Sequence, residues 1–195
     1  DELIKEIKLQ IHNFFGEVVK DSSDFPRIIR NEHFDKLVEM LENESVLQGG
    51  QHERESLYIA PTLLDEPTRD SRVMENEIFG PILPVISYSS KEDLEKWINS
   101  YEKPLGGYCF TGDSKFEDWF IDRFSFGGGV INDAIVQFVN DRLPFGGVGN
   151  SGIGSYHGQK TFETFSHYKS VVHRGTWIDL PVKYAPYGHK LSKIK

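Results

Sequence analysis

The chain has 195 residues, 38% of them apolar, with 14 Phe, 8 Tyr and 3 Trp, enough to bury a real core and too aromatic for a disordered segment. Its 22 basic and 30 acidic residues leave a net charge of −8, which excludes a phosphate backbone as its main partner, and one cysteine rules out a disulfide framework and fits a reducing compartment. No apolar run approaches the roughly 18–20 residues of a membrane span, and Asp1-Glu2-Leu3-Ile4-Lys5 lacks signal-peptide character. The expectation is a soluble cytoplasmic protein with neither membrane nor nucleic acid as partner.

In chain order, Leu3, Ile7, Ile11 and Phe14/Phe15 recur on one helical face, and Gly16 stops that helix. A second helix is predicted from Glu32 to Leu41, capped by Asn31, with Phe34, Leu37, Val38 and Leu41 inward. Tyr58 to Leu64 reads as a strand with Pro61 marking an edge or a break. Ile82 to Tyr88 is the next strand; Ser90 and Asp93 resemble a capping box for a helix burying Leu94, Trp97 and Ile98. Tyr108 to Thr111 forms another strand, and Asp113 or Ser114 opens a helix carrying Phe116, Trp119, Phe120 and Phe124. Gly127-Gly128-Gly129 releases the chain into Val130-Ile131-Asn132, and Gly158 to Tyr168 suggests one more helix, with Phe162 and Phe165 on one side. Strands alternating with helices over such short connections imply right-handed crossovers. The expected class is α/β, with an open, largely parallel sheet, helices on both faces and an extended C-terminal arm.

Two segments stand outside ordinary packing. Glu77-Ile78-Phe79-Gly80-Pro81 sets an acid and an aromatic ring two residues apart against a Gly-Pro turn, and Leu143 to Gly152 puts a bare backbone ribbon beside Phe145. Asn132 and Asp133 end a strand, where open parallel sheets gather ligands, although Asn-Asp also closes strands by plain turn chemistry. Gly147 to Gly152 formally satisfies the dinucleotide pattern of spaced glycines. That fingerprint needs a preceding strand, a helix opening inside it and an acid about 20 residues on; here Leu143-Pro144-Phe145 precedes it and Val172 occupies the acid's place. The seven histidines form no ligand-like cluster, so no metal site is expected. Cys109, between Tyr108 and Phe110 in a strand, reads as a buried, inert thiol.

Taken in order, Glu77 to Pro81, the strand end Gly128 to Asp133, and Leu143 to Gly158 resemble three successive signatures of the aldehyde dehydrogenase superfamily. The run Gly149 to Gly158, followed by Phe162-Glu163-Thr164-Phe165-Ser166-His167, is similar to class 3 members in particular; other classes usually carry Arg-Glu where this chain has Tyr156-His157. The resemblance extends from the first helix to Val182-Lys183-Tyr184-Ala185-Pro186.

The resemblance implies an NAD- or NADP-dependent oxidation of aromatic or medium- to long-chain aliphatic aldehydes. Glu77 would accept hydrogen bonds from the nicotinamide ribose hydroxyls, and Phe79 would pack on that ribose and the nicotinamide. Asn132 would support the floor of the active site, Ile135, Phe138 and Val139 would line the aldehyde pocket, and Phe145 would border it; His157 is expected to make structural hydrogen bonds. In such enzymes a cysteine thiolate attacks the aldehyde and a glutamate-activated water releases the acid. The nucleophile, that glutamate and the dinucleotide domain match positions upstream of this chain's first helix, and Cys109 does not match the nucleophile. No residue here is therefore assigned as catalytic, and the chain alone is expected to be inactive. The expected organisation is a partial catalytic domain over 1–165 and an oligomerisation arm over 166–195 that supports a homodimer. The alternative is a non-catalytic assembly module that keeps the same fold.

Overall fold

The computed structural model describes residues 2–188, which gather into two compact units divided between Leu94 and Glu95. In the first unit, α1 spans Glu2–Phe15 and ends at Gly16, whose φ of +81° and N–H bond to the His12 carbonyl (2.8 Å) close the last turn. Its inward face is Ile4, Ile7, Ile11 and Phe15, all half-buried. Leu3 and Phe14, which the periodicity put on the buried face, point outward at 66% and 67% exposure.

Helix α2 spans Asn31–Met40 and buries Phe34 and Leu37. Asn31 is its first helical residue, and Arg30 stands at the cap without a side-chain bond, so the expected Asn31 cap does not form. Short strands follow: β1 (Val46–Gln48), β2 (His52–Glu53), β3 (Tyr58–Ile59) and β4 (Thr62–Asp65). The expected break at Pro61 separates β3 from β4. Across it, the Thr62 hydroxyl donates to the Ala60 carbonyl (2.7 Å) and accepts from the Gly50 N–H (2.9 Å), which satisfies a buried polar side chain. A helical turn α3 (Arg72–Glu75) leads to β5 (Ile82–Val85). β4 pairs with β5 in parallel, Thr62 opposite Ile82, and with β1 antiparallel; β2 and β3 form a separate antiparallel pair. Phe34, Leu37, Ile59, Leu64, Val73 and Ile82 make the core of this unit.

Helix α4 (Lys91–Ile98) begins where the Ser90 hydroxyl accepts from the Asp93 N–H (3.1 Å) and Asp93 accepts from the Ser89 N–H (3.2 Å), the local bonding anticipated from the Ser-Asp spacing. In the second unit, β6 (Gly106–Cys109) and β7 (Gly128–Ile131) pair in parallel, joined through α5 (Ser114–Arg123), whose Asp113 cap accepts from the Lys115 N–H (2.9 Å). Four glycines, opposed in the ladder as Gly106 to Gly128 and Gly107 to Gly129, serve different faces. A Cβ at Gly107 or Gly129 would strike the Phe126 ring at 2.7 or 2.6 Å. That ring lies flat on the sheet and stacks on Phe120 at 5.6 Å. The α/β class with parallel pairs and intervening helices stands.

Beyond β7 come the turn α6 (Val136–Val139), a glycine-rich loop and α7 (Gly158–Thr164). Phe162 and Phe165 are 73% and 86% exposed. Beyond α7 a short 3-10 turn spans Pro181–Lys183; residues 189–195 of the expected arm lie outside the described residues.

Candidate functional site

Glu77 and Phe79 lie between α3 and β5 in the first unit. Phe79 has φ +49°, a conformation that costs an L residue about 1–3 kcal/mol and persists only where its surroundings enforce it. Here they do. The Phe79 carbonyl meets His33 Nε2 of α2 at 2.9 Å, and the Pro81 carbonyl accepts from the Thr62 N–H at 2.8 Å. Between them Gly80 has no room for a side chain, because a Cβ there would stand 2.6 Å from Leu37 Cδ1. The outcome is a phenyl ring held 74% exposed.

That ring borders a cavity of about 650 Å³ whose wall includes Phe25, Ile28, Ile29, Ile59 and Pro81. Arg30 gives the rim a cationic group and His33 an imidazole, at the positive end of α2. Arg27 also reaches the cavity, but its guanidinium donates to the Lys20 and Phe25 carbonyls and lies 4.9 Å over the Tyr58 ring. An apolar wall beside positive charge suits a flat aromatic ring attached to a polar or anionic group. Glu77 is exposed just outside this lining. Arg30 and His33 went unnoticed in the sequence, where they read as ordinary helix-start residues; a cation at a helix start beside an Ile-Ile pair was the available signal.

The remaining anticipated residues belong to the second unit. Asn132, at φ +58° and exposed, accepts through Oδ1 from the Thr111 N–H (2.7 Å), while its own N–H donates to the Cys109 carbonyl (2.8 Å). It therefore ties the ends of β6 and β7 together. Ile135, Phe138 and Val139 are 60%, 45% and 72% exposed, and Ile135 sits at φ +70°, a strained value for a β-branched residue. Phe138 meets Phe145 edge-on with centroids 5.0 Å apart. Phe145 exchanges backbone bonds of 2.9 Å with Tyr156 and stacks on the His157 ring at 5.8 Å. The structure thus gathers Phe138, Phe145, Tyr156 and His157 into one aromatic cluster. His157 Nδ1 is buried with no partner among the described residues, whereas its backbone N–H donates to Thr161 Oγ1 (2.8 Å). The ring stacks, and the backbone N–H makes a structural hydrogen bond.

The glycine ribbon packs on itself. A Cβ at Gly146 would stand 2.2 Å from the Gly154 carbonyl oxygen, and one at Gly147 would stand 2.2 Å from that of Ser151. The Ser151 hydroxyl closes the turn, accepting from the Val148 N–H (2.9 Å) and donating to the Val148 carbonyl (3.0 Å). These glycines permit a tight loop. Cys109 is 5% exposed, and burial first, then nearby Glu117, pushes its thiol above the ordinary range. Among the described residues no group of three or more His, Cys, Asp or Glu is placed to hold a metal, and no helix is long and apolar enough to cross a membrane.

Residues 1–171 match the model of the aldehyde dehydrogenase family. Over its whole length the chain is 40% identical to 4,4'-diaponeurosporen-aldehyde dehydrogenase of Staphylococcus aureus, covering 43% of that protein, and 41% identical to aldehyde dehydrogenase family 3 member H1 of Arabidopsis thaliana, covering 41%. It is 42% identical over 89% of its length to the mouse enzyme named dimeric NADP-preferring aldehyde dehydrogenase, covering 38% of it. A structure of S. aureus AldH in a substrate-bound state superposes with a TM-score of 0.86 at 39% identity, over 100% of this chain and 43% of that one. The chain therefore spans about two-fifths of the length of these relatives.

Proposed function

The chain belongs to the aldehyde dehydrogenase family, and from that premise we propose that it is the C-terminal part of an NAD(P)-dependent enzyme oxidising aromatic or medium- to long-chain aliphatic aldehydes to carboxylic acids. Phe79 carries this reading. An exposed phenyl held in a strained backbone by His33, at the mouth of an apolar cavity with a cationic rim, is built to grip a flat ring by contact area. A nicotinamide cofactor held there would supply the hydride acceptor for the oxidation. Phe79 would hold its ring and ribose end, and Glu77, exposed nearby, would accept from the ribose hydroxyls. In the second unit, Ile135, Phe138 and Val139 offer apolar surface to the aldehyde's tail, backed by Phe145, and Asn132 fixes the strand ends from which that segment departs.

No residue of this chain is assigned as nucleophile or general base. Its one thiol is buried and held protonated, the wrong state for attack on a carbonyl. The stretch 1–165 acts as part of a catalytic domain, and 166–195 as an arm through which two copies associate, in a reducing cytoplasmic setting. The lack of an available thiol also favours a second reading, a non-catalytic assembly module.

One pair of measurements separates the two. The purified chain, mixed with NAD or NADP and benzaldehyde or hexanal, is expected to form no reduced nicotinamide. Put in place of the matching segment of the S. aureus relative, it is expected to support aldehyde oxidation, and Phe79→Ala in that chimera should raise the cofactor's KM about tenfold or more, the loss of one buried aromatic contact. Oxidation by the chain alone would overturn the assignment of the nucleophile elsewhere. A folded chimera without activity would leave the assembly reading.

A further inference from the structure

The segment after β7 presents its apolar side chains outward, at Ile135, Val136, Phe138 and Val139. Gln137 is the exception: it is half-buried and turned in. Its Nε2 donates to the Tyr108 hydroxyl on β6 at 3.0 Å. Its stem passes over β7, where a Cβ on Gly128 would stand 3.7 Å from Gln137 Cγ. Tyr108 in turn lies back over its own strand, its hydroxyl 3.3 Å from where a Cβ on Gly106 would be. Gly106 and Gly128 are partners in the ladder, so the Gln137–Tyr108 pair lies over neighbouring positions of β6 and β7. Gln137 Oε1 is buried with no partner among the described residues. Whichever way the amide is turned, one end pairs with Tyr108 and the other is left over.

We propose that Gln137 is a positioning residue. It anchors the Ile135–Val139 segment to β6 and β7 and thereby sets the shape of the apolar surface that discriminates among aldehydes. The proposal rests on the reading that Ile135, Phe138 and Val139 meet the substrate. Its geometric half stands apart from that reading and is tested separately.

Phe138 leans on the Phe145 and His157 rings, and the Gln137–Tyr108 bond adds a tie from the same segment to β6. Ile135 is in the left-handed region, α6 is a single turn, and its neighbours face outward. A turn with so few buried apolar groups opens locally unless a side chain holds it. Gln137→Leu keeps the length of the stem but removes both the bond to Tyr108 and the unpaired acceptor, so global stability should change little while the segment's hold is lost.

Hydrogen exchange on the 195-residue chain tests the anchor. Gln137→Leu and Tyr108→Phe should each speed exchange over residues 134–140 by about five- to tenfold, the effect of one hydrogen bond, with β6 and β7 amides unchanged. The double variant should be no faster than either single one. Unchanged exchange in the segment, or equal loosening of β6 and β7, would overturn the anchor. Selectivity is then read in the S. aureus chimera. Gln137→Leu should raise the aldehyde KM and shift the hexanal-to-benzaldehyde ratio of kcat/KM severalfold, leaving the cofactor KM unchanged, and Gln137→Asn should not restore it. An unchanged ratio in an active chimera would refute the role in selectivity. A chimera inactive even with Gln137 in place would count against the proposed function instead, while the exchange result still decides the anchor.

Discussion

At the scale of the residue, Cys109 shows how an environment silences a reactive group. It faces the side of the β6–β7 pair covered by the Phe120–Phe124–Phe126 rings, and burial raises its thiol pKa. The neutral thiol is the form that folding favours, so the folded chain holds its proton more tightly than the unfolded one. That contribution to stability is complete below the ordinary thiol range and is lost as pH rises through it toward the raised value. Labelling with an aromatic disulfide reagent at neutral pH should run at least about tenfold slower than on the chain unfolded in urea. Equal rates would show an accessible thiolate and reopen Cys109 as a nucleophile. Phe79 is the opposite case, a side chain whose environment works to keep it exposed.

Helices and strands here are short, so their ends matter more than their interiors. Helix α5 has ten residues and one side-chain cap, the Asp113 carboxylate on the Lys115 N–H. Asp113→Ala should lower stability by about 1 kcal/mol, read as a lower urea midpoint with an unchanged slope. A loss near zero would mean that Thr111, whose hydroxyl accepts from the Asp113 N–H at 3.1 Å, sets the helix start instead. The expected Asn31 cap failed for a related reason. The chain enters α2 with Arg30 extended at φ −122°, so Asn31 is already helical. A capping residue must precede the helix, and which residue does so depends on the angle at which the preceding segment docks.

Across the whole molecule, much apolar surface is left uncovered. Phe162, Phe165, Tyr168, Val172 and Trp177 are 73%, 86%, 78%, 91% and 83% exposed, more than scattered surface residues account for. The purified chain is expected to self-associate at tens of micromolar by sedimentation velocity. Raising the salt should not reverse this, since apolar contacts are not screened. Phe165→Glu with Val172→Glu should shift the distribution toward monomer. A monomer at every concentration would remove the support for the arm as an association surface.

Sequence and structure divide the molecule along a physical line. Period and punctuation are local, so the helices at Glu2–Phe15, Asn31–Met40 and Ser114–Arg123, the break at Pro61 and the α/β class were all legible. So was the turn between α3 and β5, which is written in Gly80-Pro81. Strands of two or three residues, β1 and β2, were not legible, since too few positions carry an alternation. Nor was the cavity beneath Phe79. Arg30, His33 and Ile59 meet there only because α2 packs Leu37 under Gly80. Nor was the packing of the glycine ribbon, where Gly146 and Gly147 lie against the carbonyls of Gly154 and Ser151. By itself the sequence determined which residues have chemistry to offer. Which of them meet, and which are silenced by burial, was decided by packing between segments distant in the chain, which no local spacing encodes.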